Sequence, residues 1–177
     1  MKSMNVVGAL GVLGLLAACD AGADSEPMPE IVAVEAPEPE PVVFCDNPPA
    51  SGTQLARDTS KGTGVHTVAI VNGGASNTIV NVRDGATNDV VVSFYVAESE
   101  RGEVNDLPDG KYKIQYAGGY DLGEDCKQFA PILSASEDPE IVDFPAGSQM
   151  TLTYELTPRV DGNFTGESID PSEFAAE

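Results

Sequence analysis

From about Val65 onward, apolar residues recur at every second position. Thr78, Val80 and Val82 are separated by Ile79, Asn81 and Arg83. Val90, Val92, Phe94 and Val96 share one face, with Val91, Ser93 and Tyr95 on the other. Tyr112, Ile114 and Tyr116 alternate with Lys111, Lys113 and Gln115, and Met150, Leu152, Tyr154 and Leu156 with Thr151, Thr153, Glu155 and Thr157. A period of two places alternate side chains on opposite faces of a strand. The last two segments each predict a strand with one buried and one wet face. A further strand is read over Thr67 to Val71, with His66 at its start.

Turn residues fall between these runs. Asn72-Gly73-Gly74, Arg83-Asp84-Gly85 with Asn88-Asp89, and Asp109-Gly110 reach positive φ at low cost and close hairpins. Strands at short intervals, with no helix-length periodic segment between them, predict an all-β fold. The expectation is a single antiparallel β-sandwich of the prealbumin/Ig-like kind over residues 44–177. One short helix is expected at the end. Asp170 stands at an N-cap, Pro171 at the first helical position and Glu173 at the third, with Ile169 and Phe174 as a hydrophobic staple.

Residues 1–18 follow a different pattern. Lys2 precedes an uninterrupted apolar run from Val6 to Ala18, about a dozen residues and too short to span a bilayer as a helix. The run ends in Leu16-Ala17-Ala18-Cys19. This sequence resembles the lipobox of bacterial lipoproteins. The resemblance implies that residues 1–18 are a signal peptide, and that Cys19 receives diacylglycerol and becomes the mature N-terminus. Cleavage as an ordinary secretory peptide, with Cys19 incidental, is the alternative. Two or more acyl chains anchor stably where one binds marginally. Asp20 resembles the enterobacterial signal for retention in the inner membrane, which tilts the expected address that way; the domain itself is expected outside the cytoplasm, in the periplasm.

Residues 20–43 hold seven acids, five prolines and no bases. Proline fixes φ and removes donors, and neighbouring carboxylates repel. The lipidated N-terminus over 19–43 is therefore expected to be a disordered spacer, reaching at most ~75 Å at ~3.1 Å per residue.

Charge narrows the partners. The formal net charge is -20, from 29 acidic and 9 basic residues. Phosphate binding needs a basic surface, so a nucleic-acid partner is not expected, nor is an electrostatic grip on anionic lipid. The expected partners are the membrane, through the lipid, and an envelope protein or polymer.

Of three cysteines, lipidation of Cys19 leaves Cys45 and Cys126, and an even number of thiols in an exported domain suggests a disulfide. Two separate thiols are the alternative. Two Cys and one His at scattered positions lack zinc-ligand spacing.

One stretch resembles a known family. Tyr95 to Glu100 leads to Leu107-Pro108-Asp109-Gly110-Lys111-Tyr112, a strand, a polar run, then L-P-x-G-x-Y and a second strand. This is similar to the carboxypeptidase-regulatory, transthyretin-like β-sandwich modules. The resemblance implies a mostly non-catalytic accessory or binding domain, and such a fold hosts many functions.

Candidate chemistry is thin. His66 is the single histidine, which in a strand favours packing over catalysis. No G-x-S-x-G elbow occurs, and Gly62-Thr63-Gly64 lacks the rest of a phosphate loop. Asp161, Asn163, Thr165 and Glu167, with Gly166 at the sixth position, resemble the start of an EF-hand calcium loop. Position 12 is Ser172 where calcium needs a bidentate Glu, and Pro171 intrudes. Asp121, Glu124 and Asp125 form a second acidic cluster. The reading is a non-catalytic lipoprotein module without a cofactor. Two alternatives are a calcium-dependent interaction module and a hydrolase using converging carboxylates.

Overall fold

The computed structural model describes residues 42–157 and 166–175. Its strands are β1 (Gln54–Arg57), β2 (His66–Asn72), β3 (Asn77–Asp84), β4 (Val90–Val96), β5 (Arg101–Leu107), β6 (Gly110–Gly119), β7 (Ser134–Glu137), β8 (Val142–Phe144), β9 (Thr151–Leu156) and β10 (Glu167–Ser168). One helix, α1 (Pro171–Ala175), follows. The protein is an all-β sandwich. A seven-stranded sheet runs in the order β1-β4-β3-β6-β7-β10, with β8 beside the start of β6, and a second sheet runs β5-β2-β9.

The predicted alternation builds the first core. In register, Val80 lies between Phe94 and Tyr116, and Val82 between Val92 and Ile114. These side chains meet Val68 and Ile70 of β2 and Val104 and Leu107 of β5. Leu152, Tyr154 and Leu156 of β9 pack half-buried against them, while Thr151, Thr153 and Glu155 stay exposed. This is the one-sided strand that the sequence predicts for β9.

Two expectations need correction. The pairing is not wholly antiparallel, because β9 runs parallel to β2. The cause is where the chain changes sheets. Phe144, at the end of β8 in the large sheet, stacks on His66 at the start of β2. The chain then crosses at that end, where Thr67 N–H donates to Met150 O. Entering beside the first residue of β2, β9 has to run the same way.

The second correction concerns the face of β6 expected to be wet, where Gln115 is buried together with polar neighbours on β3 and β4. Asn81, Arg83, Ser93 and Gln115 are all buried, with Gln115 at 0% and Arg83 at 2% exposure. Their face of the large sheet is covered by residues 120–133 and by α1, which form a second cluster around Ile79, Tyr95, Ala117, Leu122, Phe129, Ala135 and Phe174. The large sheet is therefore covered on both sides.

Candidate functional site

The covered outer face of the large sheet is where this molecule departs most from its sequence pattern, and it is built from three distant stretches. The first is the loop after β6, fastened by a disulfide between Cys45 and Cys126. Cys45 N–H donates to Leu122 O at 2.9 Å, and Phe44 and Gly123 form an isolated bridge. The loop lays Phe129 directly over Gly119. A Cβ on Gly119 would stand 2.4 Å from Phe129 Cγ, so this close approach requires glycine.

The second stretch is α1. Asp170 Oδ1 accepts from Ser172 N–H at 2.8 Å and from Ser172 Oγ, as an N-cap should. These bonds from Ser172 lower the Asp170 pKa. Five residues of helix are not stable alone, so tertiary contact must hold them. Phe174 supplies it by burying its ring in the second cluster.

The third stretch is the sheet itself, with Arg83 at its centre. Arg83 Nε donates to Gln115 Oε1 at 2.7 Å, and Gln115 Nε2 donates to Glu137 Oε2 at 2.8 Å. Nη1 donates to Asn88 O at 2.8 Å and Nη2 to Phe174 O at 2.9 Å. A buried cation needs its donors satisfied, and these bonds meet that need. Burial lowers the Arg83 pKa, with Glu137, Glu173 and Asp89 working against it. The guanidinium sits at the C-terminal carbonyls of α1, where positive charge is favoured. Between the loop and α1, a groove of about 190 Å³ remains open over β1, β3 and β4.

His66 lies in the other sheet and is fully buried. Met150 N–H donates to Nδ1 at 3.1 Å, which places the proton on Nε2, and Nε2 donates to Asp109 Oδ1 at 2.9 Å. The ring stacks on Phe144 at 4.7 Å between centroids. Both ring nitrogens are thus engaged within the fold. Asp109 belongs to the L-P-x-G-x-Y turn, whose Tyr112 hydroxyl donates back to Pro108 O at 2.9 Å.

The carboxylates with shifted acidity move downward and serve local structure. Asp84 Oδ2 pairs with Lys61 Nζ at 2.9 Å, and Oδ1 accepts from Ala86 and Thr87 N–H. Together these bring its pKa down to about 2. Asp58 is lowered by Ser60 in the short 3-10 turn that follows β1. Tyr154 is shifted the other way, pushed well up by burial and by its hydrogen bond to Asp138.

Of the residues singled out from sequence, Cys45 and Cys126 are brought together. Cys19, Asp161, Asn163 and Thr165 lie outside the described residues. Glu167 stands exposed in β10, opposite Glu137 of β7. Asp125 Oδ1 accepts from Lys127 N–H within the loop. Among the described residues, no three His, Cys, Asp or Glu side chains gather as a metal-holding group, and no helix is long and apolar enough to cross a membrane. Gln115 was legible only as part of a wet face, and Asn81, Arg83 and Ser93 only as positions alternating with apolar ones; polar residues alternating inside a strand otherwise rich in valine are the one signal that could have marked them. Comparison of the chain with protein families, curated proteins and solved structures gives no match.

Proposed function

We propose that this chain is a membrane-anchored envelope lipoprotein whose β-sandwich is a non-catalytic binding or structural module, held away from the bilayer by its acidic, proline-rich segment. The observation that carries the reading is the Cys45–Cys126 disulfide. A structural disulfide suits an oxidising compartment outside the cytoplasm. It also accounts for two of the three thiols and leaves Cys19 at the end of the apolar run. The engagement of both His66 nitrogens supports a packing role for the one histidine.

Metabolic labelling with palmitate tests the anchor. Wild-type chain should take up label and fractionate with membranes. Cys19→Ala should lose both properties. An unlabelled wild-type chain, or a Cys19→Ala variant that still fractionates with membranes, would overturn the anchor. Crosslinking in the living envelope tests the module, with one or a few specific adducts expected.

A further inference from the structure

The floor of the outer-face groove holds two side-chain oxygens, on Asn81 and Ser93, that no other group of the fold pairs. Asn81 and Ser93 stand opposite each other in the β3–β4 register, and each is 7% exposed. Asn81 Nδ2 donates to Phe174 O at 3.2 Å, which fixes the amide so that Oδ1 is turned away from α1. Among the described residues, neither Asn81 Oδ1 nor Ser93 Oγ has a hydrogen-bond partner. No fully sealed side-chain N or O atom lacks a partner. Both oxygens therefore open onto the groove, which both residues line. Water can reach both oxygens there, so a ligand gains by replacing it with a donor and an acceptor of its own while covering the apolar walls.

The walls are apolar. Leu55, Ile79, Val90, Phe129, Ile132 and Phe174 surround the floor, and Asp125, Lys127 and Gln128 stand at the groove as well. The volume of about 190 Å³ exceeds the roughly 150 Å³ that holds one benzene ring. It is below the roughly 300 Å³ at which drug-sized sites begin. One ring or one short branched chain fills it.

The floor selects the head group. Asn81 Oδ1, a carbonyl oxygen, only accepts, and one of the two Nδ2 hydrogens is taken by Phe174 O. Ser93 Oγ–H can donate. A group that donates once and accepts once satisfies both, and a neutral hydroxyl is the compact group that does so. A carboxylate offers no donor to Asn81, and the charge of -20 repels it. An ammonium, which only donates, leaves the Ser93 hydroxyl hydrogen without an acceptor.

We infer that this groove is a binding site for a small, neutral, apolar molecule carrying one hydroxyl group. The inference takes the domain to be a binding module, as proposed above, and is independent of the lipid on Cys19.

Titration of the full chain with p-cresol, followed by ¹H–¹³C methyl NMR, tests it. Saturable shifts are expected at Leu55, Ile79 and Ile132, with a dissociation constant in the millimolar range for a ligand of about eight heavy atoms. Toluene should bind more weakly, and benzoate should give no shift at these methyls. Ser93→Ala should weaken p-cresol about fivefold and leave toluene unchanged. Ala56→Trp, at an exposed position on the groove rim, should abolish binding of both without disturbing the fold. Equal binding of p-cresol and toluene, or indifference of p-cresol to Ser93→Ala, would reduce the groove to an apolar crevice and overturn the inference. Shifts that survive Ala56→Trp would place binding elsewhere and overturn it too. Palmitate labelling of Cys19 reads the anchor separately, so failure here and failure of the lipoprotein reading are told apart.

Discussion

The two faces of the large sheet are buried by different chemistry. The inner face meets the β5-β2-β9 sheet through Val80, Val82, Val96 and Ile114, an aliphatic layer with Phe94, Phe144 and Tyr112 set into it. The outer face is covered by a disulfide-anchored loop and one turn and a half of helix, and Arg83, Gln115 and Glu137 run through it. The inner face holds by removing apolar surface from water, which is non-directional. The outer face adds to its own apolar cluster a few directional bonds that must all be made. The inner layer thus specifies a sandwich, while the outer layer specifies where two small covers sit.

Four perturbations would break or sharpen this contrast. Reducing the disulfide should have the largest effect. It closes a loop of 81 residues, for which the chain-entropy relation gives about 4.5 kcal/mol. Urea unfolding with and without reductant would read this as a fall in the midpoint, with a steeper slope because the reduced unfolded chain exposes more surface.

Phe94→Ala comes next. It opens a cavity in the inner core at a fully buried position and should cost about 4 kcal/mol. Because the inner layer underlies the whole sandwich, the loss should appear as global unfolding with every probe coincident.

Arg83→Leu should cost about 3 kcal/mol, because Gln115 Oε1, Asn88 O and Phe174 O lose a donor in a buried setting. The distinguishing readout is amide exchange. Protection should fall first at the residues of α1, while β2 and β4 keep theirs. Uniform loss of protection would show that the two faces are one cooperative layer.

The smallest effect is expected at the β3–β4 turn. Asp84→Asn removes the charge facing Lys61 and should cost about 1 kcal/mol. The Asp84 carboxyl is held at about 2, below its ordinary value of 3.8. Its stabilisation is therefore present above pH 4 and lost as pH falls toward 2. The wild-type chain should lose stability relative to Asp84→Asn across that window in acid titrations of the unfolding midpoint.

The sequence makes some of this plain and hides the rest for physical reasons. β3, β4, β6 and β9 are legible because β-branched and aromatic residues alternate with polar ones. α1 is legible from Asp170, Pro171 and Phe174, and the disulfide from the count of thiols. β5 reads as a polar run, because its buried position 102 is glycine. A Cβ there would lie 2.7 Å from Val96 Cγ2 and 2.8 Å from Gly52 N, so the close approach of neighbours excludes any apolar side chain that would have revealed the strand. The burial of Arg83 was illegible because its cover arrives from Phe174, 91 residues away. The groove escapes notice for the same reason, since its lining comes from β1, the sheet centre, the loop and α1.

The covalent tie between Cys45 and Cys126 has a mechanical consequence. Strands β1 to β6 all lie inside the ring it closes. Tension arriving along the chain before Cys45 passes through the sulfur bridge straight to the segment after Cys126. Peeling β1 from β4, the easiest way to unzip an edge under load, is thereby bypassed. A pull between that entry point and anything gripping β7, α1 or the strands between them leaves the first six strands unstretched.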